Sequence, residues 1–364
     1  MSNQFRDLLR KVGSGPHTGK NLTRQEADLA TQLMLCQKAT PAQIGAFMIA
    51  HRIKRPTGAE LAGMLDAYDQ LGPSLTPITS PYPAVVLNSP YDGRSRTAPI
   101  HPLTTLILLA AGCPVVLQGG GRMPTKYGVP HAEIWQGLGV DWTRLSLAAV
   151  QQVFADTGLG VLYTPNHFAI ADQMVPYRDQ IGKRPPLATV ELLWSPYQGE
   201  ALLACGYVHP PTEQIARDTF ALRGTERFVT VKGLEGSCDL PRDRTCILGL
   251  SRPSSDAQAT FERLLLHPRD FGFDGADVPF AGTEPFLDDM LAVLKGNTTH
   301  ELARSAVWNG GFYLWCSGAC ADLPAALTRA ATILADGQAW QSLTTVRAAV
   351  AAHQSGQGVP MPTH

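Results

Sequence analysis

The sequence predicts an α/β protein: a small helical domain followed by a larger domain with a central, mostly parallel sheet. Three observations predict it. Three helix-opening signatures follow one another within the first sixty residues. A strand–helix–strand unit occupies residues 84–117, and strand-like and helix-like runs alternate further downstream. The chain has 364 residues, enough for about two domains and a sizeable core.

The helical domain is read from its punctuation. Thr23-x-x-Glu26, Thr40-x-x-Gln43 and Thr57-x-x-Glu60 are capping boxes, in which threonine and the acid or amide three residues later each satisfy a free backbone N–H. Pro41 sits at the first helical position of the second box, where its missing N–H costs nothing. Ile44, Phe47 and Met48 share one face of the second helix; Leu61, Met64, Leu65 and Tyr68 share one face of the third. His51 lies one turn beyond Phe47 and reads as a packed edge histidine. The domain closes near Gly72-Pro73, and the proline-rich PSLTPITSPYP stretch is an extended linker.

Ala84–Leu87 and Val115–Leu117 read as buried strands, with an apolar helix from Pro102 to Ala111 between them. A strand pair joined by a helix runs parallel. Gly160–Tyr163, Ala201–Cys205 and Phe228–Val231 continue the strands, Glu213–Leu222 is a helix candidate, and Ala321–Leu343 is a long helical region. The amphipathic, charged stretch 168–184 interrupts the alternation and reads as a return to the small domain. The expected division is therefore 1–75 with 168–184 for the helical domain, and 76–167 with 185–364 for the α/β domain.

The formal charge is −1 and 17% of residues are charged, which excludes a protein basic all over. Charge is uneven, however. Residues 1–60 carry nine basic side chains against four acidic ones, and Asn88 to Lys126 carries four against the single Asp92. The seven cysteines are scattered, without a CxxC pair, and read as buried reduced thiols. Cys316 and Cys320 are four apart, but no histidine pair accompanies them to suggest a metal site. The first fifteen residues hold no apolar run suited to secretion, and no stretch is long enough to span a bilayer, so a cytoplasmic, membrane-free location is expected. GxSxG, HExxH, the Walker A loop and a properly placed GxGxxG are all missing.

The order of motifs is similar to that of the anthranilate phosphoribosyltransferase family, which shares its architecture with the pyrimidine nucleoside phosphorylases. The likeness runs through LTRQEADLATQLMLCQKATPAQIGAFMIAHRIKRPTGAELAGMLDA, AAGCPVVLQGGGR, FAIADQMVPYRDQIGKR, GYVHPPTEQIARDTFALRGTERFVTVKGLEGSCD and VWNGGFYLWCSGACADLPAALTRAATILADGQAW, nearly the whole chain. The resemblance implies a homodimer joined through the helical domains. It also implies a cleft that holds phosphoribosyl pyrophosphate with magnesium, where an anthranilate amine displaces pyrophosphate.

Against the family pattern the donor loops are rewritten. The GTGGD motif is Asn88-Ser89-Pro90-Tyr91-Asp92 here, followed by Gly93, so only Asp92 and Gly93 match. Pro90 supplies no N–H and Tyr91 adds bulk where backbone would approach a pyrophosphate. The serine–threonine end of the next motif falls at His101-Pro102. KHGNR becomes Gln118-Gly119-Gly120-Gly121-Arg122, and the adjacent Asp-Glu for the second magnesium becomes Cys238-Asp239. The anthranilate-contacting arginine aligns with Arg184.

The candidate phosphate-binding set is therefore Asp92, Gly93, Arg94, Arg96, Gly119, Gly120, Gly121, Arg122 and Lys126. For its four basic residues, solvated loop charges are the competing reading. Asp239 is a candidate metal ligand or else an exposed loop acid, and Arg184 an acceptor contact or else an interdomain ion pair. Magnesium is expected only if a phosphoribosyl donor binds. No catalytic residue is assigned. The altered loops resemble the divergent YbiB-type branch, which is associated with nucleic-acid binding. Two functions follow: a non-canonical or catalytically silent binder of nucleic acid or of a phosphorylated metabolite, and an active phosphoribosyltransferase acting on anthranilate or a related aromatic acceptor, as in tryptophan biosynthesis.

Overall fold

The computed structural model describes residues 3–15, 17–89, 92–253 and 260–355. Helices α1 (Asn3–Gly13), α2 (Arg24–Leu35), α3 (Pro41–Lys54) and α4 (Gly58–Leu71) form the N-terminal bundle. All three capping boxes close in both directions, with each threonine accepting from the third residue's N–H and that residue's side chain accepting in return. Phe5 and Phe47 meet at 5.3 Å between ring centres in the bundle core.

Strand β1 (Ala84–Leu87), helix α5 (His101–Ala110) and strand β2 (Val115–Gly119) are the expected parallel unit. His101 to Leu108 are all buried, as suits a helix that is apolar on every side. Next come α6 (His131–Gly137), α7 (Leu147–Thr157) and β3 (Leu159–Tyr163), then α8 (Thr164–His167), α9 (Ala169–Asp172), α10 (Val175–Ile181) and α11 (Leu187–Leu193). Strand β4 (Ala201–Gly206), α12 (Pro210–Arg223) and β5 (Phe228–Val231) complete the parallel part. Strands β6 (Cys246–Arg252) and β7 (Thr260–Leu266) then add an antiparallel edge, and α13 (Thr283–Leu294), α14 (Glu301–Cys316), α15 (Leu323–Ala335) and α16 (Gln338–Ser355) end the described chain.

The strand order is β3-β2-β1-β4-β5-β6-β7. After β1 the chain moves outward to β2 and β3, then returns to add β4 on the other side of β1. Such a reversal leaves a crevice beyond the carboxyl ends of the strands, where open α/β sheets bind ligands. The loops after β1, β2 and β5 are those carrying the rewritten motifs.

Two expectations change. The helical region Ala321–Leu343 is two helices, broken at Gly337, whose φ of 70° lies in the left-handed region that favours glycine. The antiparallel β6–β7 pair was not anticipated, because β7 is largely exposed and its first four residues interleave charge, leaving only Leu264–Leu266 apolar. Stretch 168–184 forms the short helices α9 and α10. Tyr177 donates to the Gln37 side chain at 2.7 Å, so this stretch reaches the N-terminal bundle. Helix α12 also packs on α4, where the Asp218 side chain lies so close to Gly58 that an added Cβ would stand 2.6 Å from it. Among the described residues no helix is long and apolar enough to cross a membrane.

Candidate functional site

The crevice is framed from the bundle side by Tyr68, Phe168 and Trp194. Their rings stand 5.2–5.5 Å apart, in edge-on and tilted contacts. From the sheet side come Ser89, Gln118, Gly119, Gly120 and His131, and the cavity between them holds ≈ 30 Å³, about one water's worth of room. Beneath it Arg178, buried, pairs with Glu191, which also accepts from the Tyr68 hydroxyl at 3.4 Å. Burial and the Glu191 charge raise the Tyr68 phenol far above its usual range, so it stays a neutral donor.

Asn88 and Gln118 seal the ends of β1 and β2. Asn88 Nδ2 donates to the carbonyls of Leu192 and Trp194 at 3.0 and 2.9 Å, and Gln118 Nε2 donates to Glu191 O at 2.7 Å. Polar side chains thus tie down backbone carbonyls of the α11 segment. Gly119 is needed for packing: a Cβ there would stand 2.6 Å from His131 Nε2. His131 and His101, 6.3 Å apart between ring centres, are both buried; neither His101 ring nitrogen has a hydrogen-bond partner, and His131 lies against the Gln118 backbone. Burial pushes His131 down to about 4 and His101 to about 3, so both are neutral at pH 7.

The basic candidates are engaged by carboxylates. Arg94 is 2% exposed. Its Nη1 donates to Asp239 Oδ2 at 2.5 Å and to Ser237 Oγ at 2.7 Å, its Nη2 to Thr97 Oγ1 at 2.5 Å, and its Nε to Glu235 Oε1 at 3.4 Å. Asp239 Oδ2 also accepts from the Ile100 N–H at 3.0 Å. Glu235 takes Lys126 as an ion-pair partner and accepts the N–H groups of Arg96 and Thr97, both at 2.9 Å. Burial alone would raise the Glu235 carboxyl, but Lys126 and the two N–H groups hold it far below the usual range. Arg122 binds Glu133 through two 2.8 Å hydrogen bonds. Arg184 pairs with buried Asp92, its Nε at 2.8 Å and Nη2 at 2.5 Å, which makes a bond between the returning segment and the sheet domain. Gly93 allows loop 92–94 to run against 128–129, where any Cβ would stand 2.5 Å from Gly128 backbone. Gly120 and Gly121 complete the turn after β2, beside Met123 and Tyr163.

The sequence left Arg94 and Lys126 between phosphate ligands and solvated loop charges, and Asp239 between metal ligand and exposed loop acid; the structure pairs Arg94 with Asp239 and Lys126 with Glu235. Asp239 is buried, not an exposed loop acid. Pro90 and Tyr91 lie outside the described residues. Glu235, His131, Phe168 and Trp194 were not singled out, and Asn88 and Gln118 entered only as altered motif positions and Tyr68 only as a core position. The visible signal for Glu235 was its place four residues before Asp239 in the same glycine-framed loop. Magnesium does not fit the acids as they stand: the one retained carboxylate of the expected pair faces a guanidinium, and no group of three potential ligands gathers among the described residues.

Residues 6–72 match the helical bundle domain of the glycosyl transferase family. The chain is 26% identical over 347 residues to the anthranilate phosphoribosyltransferase of Prochlorococcus marinus, covering 93% of this chain and 94% of the relative. It is 28% identical over 344 residues to that of Methylobacterium nodulans, with 93% and 96% covered. The chain is thus similar over nearly its full length to anthranilate phosphoribosyltransferases. Solved structures agree on the fold. The Thermus thermophilus enzyme superposes with a TM-score of 0.77 at 19% identity, covering 95% of this chain and 99% of that one. The Saccharomyces cerevisiae enzyme in complex with phosphoribosyl pyrophosphate and magnesium superposes with 0.80 at 15%, covering 96% and 98%.

Proposed function

We propose that this protein binds a small phosphorylated molecule with a flat apolar part in the interdomain crevice, and does not carry out magnesium-dependent phosphoribosyl transfer at ordinary enzymatic rates. The observation that carries the reading is the pairing of cleft charges within the chain: Arg94 with Asp239, Lys126 with Glu235, Arg122 with Glu133 and Arg184 with Asp92. A nucleic-acid surface needs exposed cations free to neutralise phosphates, and Arg94 and Lys126 are withdrawn from that role. Arg96, Arg122 and Arg184, with side chains 77%, 50% and 50% exposed, remain accessible to a phosphorylated ligand, the last two from within their ion pairs. Tyr68, Phe168 and Trp194 form the apolar wall of the ≈ 30 Å³ cavity, and being 3% exposed or less they would have to part to admit a planar group.

The second reading, phosphoribosyl transfer to anthranilate or a related aromatic acceptor, is favoured by the likeness to anthranilate phosphoribosyltransferases over nearly the full chain. Under either reading we place a second copy on the apolar face of the bundle, where Val12, Ala46, Ile49, Ala50 and Ile181 lie around Ile53, itself 68% exposed. The support is the family's joining through helical domains.

Calorimetric titration of phosphoribosyl pyrophosphate and inorganic pyrophosphate, beside gel shifts of duplex DNA at two salt concentrations, tests the proposal. The expected result is one saturable small-molecule site weakened by Arg184→Ala. Duplex binding whose log affinity falls with log salt by about 0.9 per neutralised phosphate, with no small-molecule site, would overturn it in favour of nucleic acid.

A further inference from the structure

We propose that Arg94 is a built-in cation that takes the place of a divalent metal at the carboxylates of the β5 loop, so that the crevice binds a pyrophosphate-bearing ligand without magnesium. The second half of this statement rests on the small-ligand reading above; the first stands on the residues alone. The cluster contains two buried carboxylates, Glu235 and Asp239, and three cations of the chain, Arg94 and Lys126 with the exposed Arg96 at 3.7 Å from Glu235, so its formal charge is met in full without an ion. The Arg94 guanidinium reaches Glu235, Ser237, Asp239, Thr97 and the Ala98 carbonyl, an array that suits its fork of five donors.

A divalent ion approaching Asp239 would meet that guanidinium and would have to displace it from a site closed to water. The position of Arg94 is fixed by its backbone. It exchanges hydrogen bonds with Val129, N–H to O at 3.1 Å and O to N–H at 2.7 Å, which anchors the β1 loop to the segment just before α6. The loop after β5 is held as firmly: Glu235 sits at a φ of 54° while its carboxylate accepts from the successive N–H groups of Ser95, Arg96 and Thr97. A cation carried by the chain is permanent, whereas a metal comes and goes with its concentration. This loop is therefore charge-balanced before any ligand enters, and a pyrophosphate-bearing ligand is left to the exposed Arg96, Arg122 and Arg184 in place of a metal chelate.

The test is titration of Mn²⁺ into the full-length wild type and R94A, with free metal read by electron paramagnetic resonance, together with calorimetry of inorganic pyrophosphate in EDTA and in MgCl2. The wild type is expected to show no specific Mn²⁺ site. R94A, left with two buried carboxylates, Lys126 and the exposed Arg96, is expected to gain one that is at least about tenfold tighter than any wild-type binding. R94K, which keeps the charge, should gain none. Pyrophosphate should bind the wild type with the same affinity under both conditions. A stoichiometric Mn²⁺ site in the wild type, an R94A chain without a new site, or pyrophosphate binding that requires MgCl2 would each overturn the proposal. Should R94A fail to fold, the wild-type Mn²⁺ and pyrophosphate titrations decide alone. If pyrophosphate binds under neither condition while the Mn²⁺ results hold, the small-ligand reading falls and the cation role of Arg94 stands.

Discussion

The N-terminal bundle and the loops of the crevice are held together by opposite kinds of interaction. In the bundle the decisive contacts are local and repeated: Thr23 with Glu26, Thr40 with Gln43, Thr57 with Glu60. In the crevice they join residues far apart in the chain, with Arg94 reaching Asp239 across 145 positions and Arg184 reaching Asp92 across 92. Local contacts fix a fold that distant relatives share, and long-range ones let a site be rebuilt while the sheet around it stays. The bundle's glycosyl transferase match, at 6–72, fits this division.

The contrast is sharpened most by breaking the buried ion cluster. Asp239→Asn or R94A should destabilise the protein by about 3–5 kcal/mol, because each leaves an uncompensated buried charge or polar group. Arg122→Ala, whose pair with Glu133 is exposed, should cost about 0–1 kcal/mol. Urea unfolding of the three variants checks this, and equal effects would erase the distinction between structural and surface cations.

Next in size is a pH effect confined to the bundle. Glu60 is buried and faces His51, Lys54 and the Leu22 N–H. Burial alone would raise its carboxyl, yet these partners hold it at about 2, below the ordinary 4.5. A depressed carboxylate contributes stability that is complete above about 4.5 and lost as pH falls towards about 2. Glu60→Gln should flatten that acid limb in thermal melts; an unchanged limb would assign it to other carboxylates.

In the crevice, Gly119→Ala should cost about 1–3 kcal/mol through overpacking. His131→Ala in the same chain should recover part of that, since His131 Nε2 is the atom an added Cβ meets. Additive effects in the double mutant would show that the two sites do not touch. Smallest are the caps: Thr23→Ala, Thr40→Ala and Thr57→Ala should each cost about 1 kcal/mol, independently of one another, by chemical denaturation.

The same division explains what the sequence made legible. The boxes, the β1–α5–β2 unit and the loops bearing Asp92, Gly119 and Arg122 could be placed because each depends on neighbours a few residues away. Gly337 was missed as a helix break because an alanine-rich stretch on both sides masks one residue with positive φ. Arg94 looked like a phosphate ligand because nothing near it in sequence shows that Ser237 and Asp239 converge on its guanidinium. For the same reason His101 and His131, thirty positions apart, gave no hint of being a buried pair.

The central claim is that the chain's own charges have replaced the donor-binding apparatus, and steady-state turnover with anthranilate, phosphoribosyl pyrophosphate and magnesium tests it most directly. Losing one preorganised charge-stabilising donor typically costs about 100- to 1,000-fold, and here the glycine loop, the Lys-His of the second loop and the acidic pair are all altered. The account predicts phosphoribosyl anthranilate formation at least about 1,000-fold slower than in an active relative assayed alongside, and unchanged when magnesium is withdrawn. Magnesium-dependent turnover at a rate comparable to that relative would contradict it.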